Sequence, residues 1–336
     1  MNVLFTCAGR RNYLINYFKT ALKEEGRVLA ADMDKTAPAM VDADMSFVVP
    51  NIYDKDYIST LKRLISSEKI NAVISLNDLE LPILAANKID LESLGCHVIV
   101  SEKKIIDTCF DKWKTKLFLE RIGIRTPKTF NDLSEAKKAI LNNDLIFPLV
   151  VKPRWGSASI GIEYPENMEE LDLVYKLLSI RLERTILREV SSEDINHAII
   201  IQERLIGKEY GMDVLNDFKG NYQGTFVREK LSMRAGETDK AISVIDSKIE
   251  QIGKNIGQYL KHIGNLDCDV FEQDGQYFVL EMNPRFGGGY PFSHEAGVNT
   301  AAVYIEWLKG GNDISKYINY KPGFMFSKCD RLIRVN

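Results

Sequence analysis

Residues 277–289 read Tyr-Phe-Val-Leu-Glu-Met-Asn-Pro-Arg-Phe-Gly-Gly-Gly, and this stretch decides the fold. The apolar run 277–280 is predicted to be a strand, and side chains two positions apart on a strand point to the same face. Glu281 and Asn283 therefore project together, and both offer oxygen atoms. Arg285 is expected on the same side, where its guanidinium could meet phosphate oxygens. A surface strand end with a glycine-rich turn fits the same spacing, so this segment alone leaves both interpretations open.

A second strand is predicted at residues 266–271, joined to the first by a hairpin turn at Asp274-Gly275, because Asp-Gly is a strong turn signal. Asp269 on this strand adds a third oxygen-bearing side chain. Mg²⁺ prefers oxygen ligands and usually binds through one or two carboxylates together with substrate phosphates. Asp267 competes with Asp269 for this position, because the two alternate along the strand and share a face.

A lysine ends a second apolar strand, at residues 149–152, and a loop of mostly small residues follows. The loop, residues 154–161, reads Arg-Trp-Gly-Ser-Ala-Ser-Ile-Gly. Lys152 at the inner end of an apolar strand is costly unless an anion pairs with it. The backbone N–H groups of the loop could close over phosphates. The order of a Walker A loop is absent, and an exposed lysine at a strand end remains an alternative.

A third segment, residues 199–210, reads Ile-Ile-Ile-Gln-Glu-Arg-Leu-Ile-Gly-Lys-Glu-Tyr. An apolar strand runs into a polar bend and then into another strand. Backbone groups in such a bend could recognise the edge of an adenine, and Glu209 could bond a ribose hydroxyl. An ordinary β-turn would give the same pattern.

Short apolar strands alternate with helical segments through residue 107, which predicts a parallel sheet with helices on both faces. The turn after the first strand lacks the second and third glycines of the dinucleotide fingerprint, which argues against NAD. Arg10 and Arg11 in this turn either hold an acidic group of a substrate at the open end of the sheet or face solvent. Asn77-Asp78, after the third strand, has the same two interpretations.

Residues 228–240 are dense in charge. They form either a solvated loop or a segment in which Lys230 and Arg234 line the acceptor side of a phosphate site. His294, beyond the glycine run, is a further candidate, although a lone histidine is more often structural.

The three segments, in this order and at these separations, resemble the ATP-grasp superfamily, in the branch of the carbamoyl phosphate synthase large subunit. The resemblance spans essentially the whole chain. It implies an α/β protein in which a parallel-sheet, Rossmann-like pre-ATP-grasp domain (residues 1–107) precedes a two-lobed α+β ATP-grasp domain. Its small lobe, with the phosphate loop, is expected at residues 108–195, and its large lobe, with the hinge and the metal site, at 196–336.

The resemblance also implies an ATP site. Lys112 and Lys152 match the two basic residues that bind the nucleotide, and Ser157 lies in the loop that covers the triphosphate. The remaining matches are the carbonyl of Glu203 and the N–H of Leu205, which would recognise adenine, and Glu209, which would bind ribose.

The same resemblance assigns the metal and the catalytic cations. Asp269, Glu281 and Asn283 match the ligands of Mg²⁺, with Mn²⁺ as an alternative metal. Arg285 matches the residue that stabilises the transferring phosphoryl group, and Lys152 and Arg234 are expected to assist it.

The implied activity is that of an ATP-dependent ligase, which activates a carboxylate as an acyl phosphate and transfers it to an amine. ADP and phosphate would be released. Two alternatives remain open: an enzyme that phosphorylates bicarbonate, as in carbamoyl phosphate synthesis, and an ATP-binding regulatory module without turnover.

Composition limits the partners. The 336 residues carry a net charge of −3 without a basic stripe, which argues against nucleic acid. No apolar run reaches the about 20 residues of a membrane span, and the start of the chain resembles a strand more than a signal peptide. The five scattered cysteines favour the cytoplasm. Small-molecule acids and amines are the expected partners, and a homodimer is one expectation because ATP-grasp enzymes are often dimers.

Overall fold

Three β-sheets organise the chain in the computed structural model, which describes residues 1–156 and 160–335. The first sheet is parallel, and the other two are antiparallel. This order confirms the predicted α/β class, in which a parallel sheet precedes an α+β part. Within the described ranges, every helix is too short or too polar to cross a lipid bilayer.

The parallel sheet has the strand order β3-β2-β1-β4-β5. Its strands are β1 (Asn2–Thr6), β2 (Arg27–Asp32), β3 (Met45–Val48), β4 (Ala72–Ser75) and β5 (His97–Val98). The accompanying helices are α1 (Asn12–Leu22), α2 (Pro38–Asp42), α3 (Tyr57–Ser67), α4 (Leu81–Ala86), α5 (Lys88–Glu92) and α6 (Lys103–Phe110). The order reverses between β1 and β4, and such a switch point opens a crevice at the carboxyl ends of the two strands.

Alternating side chains of β1 enter the two cores of this sheet. Val3 and Phe5 pack with α1 on one face, whereas Leu4 packs with α3 on the other. This burial on both faces explains why the sequence shows nearly continuous apolar runs. The edge strand β3 escaped prediction because only alternate residues of it are half-buried.

The second sheet has three strands in the order β6-β8-β7. They are β6 (Thr129–Phe130), β7 (Leu149–Pro153) and β8 (Ile199–Glu203), and the helices of this part are α7 (Lys112–Arg121), α8 (Leu133–Leu141), α9 (Met168–Leu182) and α10 (Arg188–Ser191). A 3-10 helix, Ser192–His197, leads into β8. Leu149 and Val151 of β7 pack on Leu171 and Leu178 of α9, so Lys152 points to the opposite side.

The third sheet has six strands in the order β13-β12-β9-β10-β11-β14. They are β9 (Lys208–Asn216), β10 (Tyr222–Arg234), β11 (Glu237–Val244), β12 (Gly264–Gln273), β13 (Gln276–Asn283) and β14 (Met325–Ser327). The helices here are α11 (Ser247–Leu260), α12 (Tyr290–Glu295) and α13 (Thr300–Leu308), followed by a 3-10 turn, Ser315–Tyr317. Asp274 and Gly275 both have positive φ, which is the turn geometry expected of a tight Asp-Gly hairpin.

The two faces of this sheet differ in chemistry. On one face, the side chains of Met212, Val214, Val227 and Cys268 pack against α11 and bury an apolar core. On the other face, the alternate residues are acidic and basic side chains. The period of two along each strand therefore separates the core of the domain from a charged surface.

The charged segment 228–240 is not the solvated loop that one interpretation of the sequence suggested. It forms the hairpin of β10 and β11, which turns at Ala235-Gly236. The alternation along β10 places Lys230 on the charged face, where its side chain is only 4% exposed because carboxylates surround it.

Helix α11 supports the sheet through a glycine contact. A Cβ added at Gly253 would lie 2.3 Å from the Thr225 hydroxyl of β10. We therefore expect Gly253→Ala to lower the free energy of unfolding by about 1–3 kcal/mol, because overpacking outweighs the better helix propensity of alanine. Urea denaturation measures this change. The matched control is Lys254→Ala at the exposed neighbouring position; a Gly253→Ala variant more stable than wild type would show that the contact is not close.

Candidate active site

A cleft that is partly open to solvent lies over the charged face of the third sheet. Its walls come from β10, β11, β12 and β13, from the glycine-rich loop after β13, and from Arg11 at the start of α1. Both the N-terminal unit and the antiparallel sheet therefore contribute to it.

The β12–β13 hairpin carries four oxygen-bearing side chains into this cleft. Asp269 is the cross-strand neighbour of Glu281, and Asp267 is the neighbour of Asn283. The amide nitrogen of Asn283 donates to Oε1 of Glu281 at 3.4 Å. The three residues predicted as metal ligands thus lie together, as the alternation along the strands required.

Asp267 and Asp269 have different partners. Asp267 accepts a hydrogen bond from Nη2 of Arg228 at 2.7 Å and lies 3.7 Å from Arg285, so cations enclose it. Asp269 accepts from Nζ of Lys230 at 2.6 Å through one oxygen, and its side chain is more exposed, at 24% against 13%. Asp269 is therefore the more accessible of the two carboxylates.

Glu209, at the start of β9, shares Lys230 with Asp269. Nζ of Lys230 donates to Oε1 of Glu209 at 2.6 Å. Burial raises the pKa of Glu209, and the nearby Asp269 adds to that rise, while Lys230 opposes it. Glu209 thus lies near Asp269, one of the predicted metal ligands, and its carboxylate is already hydrogen-bonded to the Lys230 ammonium.

Lys152 and Lys112 approach this acidic hairpin from the second sheet. Lys152 is 6% exposed, and burial lowers its pKa to about 8, with the neighbouring Lys112 adding to the effect. Glu281 and Asp269 raise the pKa of Lys152, so both carboxylates lie within electrostatic range of its ammonium. Among the described residues, no carboxylate lies within 4 Å of the Lys152 ammonium. The buried Lys152 and the half-buried Lys112 therefore face the hairpin without a carboxylate in contact among the described residues.

Lys112 is held at the base of the phosphate loop. Its Nζ donates to the carbonyl of Gly156, and the preceding Asp111 caps α7 and binds Arg154 at 2.7 and 2.8 Å. This network fixes the first residues of the loop. Ser157, which we expect to bind the nucleotide, lies outside the described residues.

The predicted hinge residues lie at the end of β8 and in the loop that leads to β9. The N–H of Glu203 donates to the carbonyl of Lys128, and its carboxylate accepts from the N–H of Lys128 at 2.8 Å. The two groups predicted to bind adenine are the backbone carbonyl of Glu203 and the backbone N–H of Leu205. Leu205 lies in the loop between β8 and β9.

Arg285 connects the cleft to the parallel sheet. Its Nη2 donates to Oδ2 of Asp78 at 2.6 Å, and its Nε is buried without a partner among the described residues. Asp78 follows β4, where the buried carboxyl of Glu80 anchors the loop by accepting from Thr6 and Ser75 at 2.8 and 2.6 Å. The Asn77-Asp78 segment therefore reaches the site through Arg285 and does not simply face solvent.

The structure does not bring Arg234 into the cleft. Its side chain is 50% exposed near the tip of the β10–β11 hairpin, where it binds Asp239 and Asp330. Lys230, four residues earlier, occupies the position nearer the hairpin acids. The placement of Arg234 therefore gives no support to the catalytic role predicted for it.

Arg10 and His294 also lie apart from the reacting groups. The Arg10 side chain is 85% exposed and lies 4.0 Å from Asp330. His294 stacks on Tyr17 and hydrogen-bonds the hydroxyl of Tyr290 at 2.9 Å, and burial lowers its pKa to about 4. A neutral, packed imidazole of this kind has a structural role.

Arg228 is the site residue that sequence reasoning missed. It is 1% exposed and pairs with Asp213 at 2.5 Å and Asp267 at 2.7 Å. Although burial alone would lower its pKa, these two carboxylates raise it. Its position at the start of a charged segment suggested solvent, whereas the alternation along an extended β10 would have placed it beside Lys230.

The glycine run after β13 packs against this ion network. A Cβ at Gly287 would lie 2.1 Å from the Asp267 carboxyl carbon, and one at Gly289 would lie 2.3 Å from the Arg228 guanidinium. The absence of side chains thus lets the loop close over the buried charges. Glycine is therefore required at these positions by close packing against the ion network as well as by the turn.

The side-chain oxygens of Asp269, Glu281 and Asn283 fit a hard cation that takes its other ligands from phosphate and water. Among the described residues, no cluster of three or more His, Cys, Asp and Glu side chains is arranged to hold a metal by protein atoms alone. Glu281 accepts one weak side-chain hydrogen bond there, so its carboxylate is available to a metal. Mg²⁺ typically binds through one or two carboxylates and keeps its other ligands from phosphate and water.

Family models match two separate parts of the chain. A model described as "PylC-like, N-terminal domain" matches residues 3–99, and one described as "ATP-grasp in the biosynthetic pathway with Ter operon" matches residues 196–330. The carbamoyl phosphate synthase large chain of Gemmatimonas aurantiaca is 26% identical over 351 residues, which cover 93% of this chain and 30% of that protein. The chain thus spans less than a third of such a relative.

Solved structures share the fold. The biotin carboxylase domain of the Hydrogenobacter thermophilus 2-oxoglutarate carboxylase, solved with MgADP and bicarbonate, has a TM-score of 0.73 at 18% identity and covers 96% of this chain and 73% of that one. The L-amino acid ligase from Bacillus licheniformis has a TM-score of 0.67 at 18% identity, covering 96% and 77%. These matches and the three-sheet architecture together show that the chain has the ATP-grasp fold, with a PylC-like N-terminal part and an ATP-grasp family match over residues 196–330.

Proposed function

We propose that the chain is an ATP-dependent ligase that activates a carboxylate and joins it to an amine. The observation that carries the proposal is the buried ammonium of Lys152, which with the half-buried Lys112 faces the hairpin acids without a carboxylate in contact among the described residues. Buried cations require a compensating anion. A triphosphate supplies that charge, and the hairpin acids account for the metal that accompanies it.

The three parts of the chain have separate tasks in this proposal. Residues 1–107 form the pre-ATP-grasp domain, 108–195 the small lobe and 196–336 the large lobe. Lys112, Lys152 and Ser157 bind phosphates, whereas Glu203 and Leu205 bind adenine. The carboxylate of Glu209 accepts a hydrogen bond from Lys230. It can bind a ribose hydroxyl only if this bond to Lys230 breaks when the nucleotide binds.

Glu281, Asn283 and Asp269 would hold Mg²⁺, or Mn²⁺ in its place. The cation would supply neutralisation of phosphate charge during transfer. Asp269 keeps Lys230 on one oxygen, so its other oxygen is the available donor. Asp267 is enclosed by Arg228 and Arg285 and orients these two cations instead.

The reaction has two steps. An oxygen of the substrate carboxylate attacks the γ-phosphorus of ATP, the bond from that phosphorus to the ADP oxygen breaks, and an acyl phosphate forms. The amine nitrogen then attacks the acyl carbon, the carbon–oxygen bond to phosphate breaks, and the nitrogen loses a proton. Arg285 and Lys152 stabilise charge on the transferring group, so positioning and electrostatics supply the catalysis.

Similar proteins support this class of reaction. The named neighbours include an L-amino acid ligase and a carboxyaminoimidazole ribonucleotide synthetase. The carbamoyl phosphate synthase relatives favour a second candidate, in which bicarbonate is the acid that is phosphorylated. Small-molecule acids and amines are the proposed partners of a cytoplasmic enzyme, with a homodimer as the proposed assembly.

Glu281→Gln tests the metal assignment. The change removes the charge that faces the two lysines, and loss of one positioned electrostatic group typically lowers turnover by about 10²–10³. We expect ADP release, measured with a panel of carboxylic acids and hydroxylamine as the trapping amine, to fall by that factor. Glu229→Gln is the control, since Glu229 lies on the opposite face of β10 beside Lys208. Full ADP release by Glu281→Gln would contradict the assignment.

The affinity for ATP should depend on pH through Lys152. Burial lowers its pKa to about 8 in the free protein, Lys112 adds to this effect, and Glu281 and Asp269 oppose it. A bound triphosphate raises this pKa, so the binding energy is fully present below that value and is lost as pH rises through the pKa of the complex.

Calorimetric titration with ATP and Mg²⁺ across this range measures the effect. We expect the Kd to rise by up to about tenfold per pH unit above the free pKa. Lys152→Arg should flatten the profile because arginine stays protonated, with a smaller slope remaining from Lys112. Identical slopes in wild type and variant would show that Lys152 does not meet the phosphates.

A further inference from the structure

Arg11 differs from the other arginines of the cleft. It is the residue that precedes α1, and its Nη1 donates to the carbonyl of Phe286. Arg228 and Arg285 each pair with a carboxylate within 3 Å. Among the described residues, by contrast, no carboxylate lies within 4 Å of the Arg11 guanidinium. Arg11 therefore lines the cleft without a direct ion pair to a described carboxylate.

Tyr13 adds a second donor without an acceptor. Its hydroxyl is buried and has no hydrogen-bond partner among the described residues. Burial raises its pKa to about 12, and Arg11, Glu237, Arg285 and Asp267 are its charged neighbours. The hydroxyl thus stays protonated beside the cleft. A buried donor without a partner is unfavourable, and a ligand oxygen would remove that cost.

Glu237 places a negative charge in the same part of the cleft. Its side chain is 48% exposed, and one of its oxygens lies 3.2 Å from Lys328. A Cβ at Gly288 would lie 2.9 Å from its carboxyl carbon, so glycine lets the loop approach this side chain. Burial would raise the pKa of Glu237, but Lys328 and Arg11 lower it, so the carboxylate stays charged.

We propose that Arg11, Tyr13 and Glu237 form the subsite of the amine substrate, and that this substrate is an α-amino acid. Its carboxylate accepts hydrogen bonds from Arg11 and Tyr13, and its amino group donates to Glu237. The inference rests on the proposed ligase function and narrows it to ligation onto an amino acid.

The charge pattern selects this class over two others. A simple amine would leave Arg11 without an anion and Tyr13 without an acceptor. For an amine that carries a phosphate dianion, Glu237 adds a negative charge beside the phosphate, and Lys328 at 3.2 Å offsets only part of that repulsion. An α-amino acid presents one anionic and one cationic group on adjacent atoms, which matches one guanidinium and one carboxylate in a single subsite.

The test is equilibrium binding in the presence of Mg²⁺ and a non-hydrolysable ATP analogue. The probes are the standard L-amino acids, then the decarboxylated amine of each amino acid that binds, and phosphoethanolamine. We expect at least one amino acid to bind, and its decarboxylated counterpart to bind at least about tenfold more weakly, because it lacks the charged hydrogen bonds to Arg11.

Variants localise the contact. Arg11→Ala should weaken amino acid binding by at least about tenfold, and Tyr13→Phe by a few-fold, in line with charged and neutral hydrogen bonds. Arg11→Lys should recover part of the loss. Arg10→Ala is the matched control, because Arg10 is the exposed neighbour, and thermal midpoints show which variants are folded. In turnover, Arg11→Ala should raise the KM for the amino acid and leave the KM for ATP within about twofold.

Three results would overturn the proposal: no amino acid binds, a decarboxylated amine binds as tightly as its parent, or Arg10→Ala and Arg11→Ala have equal effects. ATP binding to the same wild-type sample is measured separately. If ATP binds and amino acids do not, the subsite is wrong and the ATP site stands. If amino acids bind through Arg11 and ATP does not bind, the proposed ligase function fails and the subsite stands.

Discussion

The central constraint on this molecule is the charge of a buried lysine, Lys152, and of the half-buried Lys112 beside it. Lys152 is out of water and within electrostatic range of Lys112, which is unfavourable unless an anion approaches both. Glu281 and Asp269 of the β12–β13 hairpin offset part of this charge electrostatically, although neither lies within 4 Å of the Lys152 ammonium. The fold therefore presents the two lysines and the hairpin acids as separate charged groups. The proposed function assigns a triphosphate to the lysines and its metal to the acids.

The antiparallel sheet makes this separation possible. Its apolar face is committed to α11 and its charged face to the cleft, because side chains alternate along every strand. Arg228, with Asp213 and Asp267, neutralises the centre of the charged face. Arg285 then ties that face to Asp78 of the parallel sheet. The N-terminal unit thus contributes to the cleft and also positions Arg285.

The sequence predicted the parts that depend on local pattern. The hairpin at Asp274-Gly275, the shared face of Glu281 and Asn283, and the buried end of β7 all follow from strand periodicity and turn chemistry. The hairpin at residues 228–240 could not be predicted from periodicity, because a strand with one ionic face has the same composition as a solvated loop. Only the contacts with neighbouring strands distinguish the two. Arg234 was misplaced for this reason, and Arg228 was missed. The bond between Arg285 and Asp78 joins residues 207 positions apart, which no local pattern encodes.

A crystal structure with Mg²⁺ and a non-hydrolysable ATP analogue tests the central claim most directly. The account predicts that the triphosphate lies in the cleft, with Lys152 and Lys112 on its phosphate oxygens and with the metal on Glu281 and Asn283. A nucleotide bound elsewhere, or one whose phosphates leave Lys152 without contact, would contradict it.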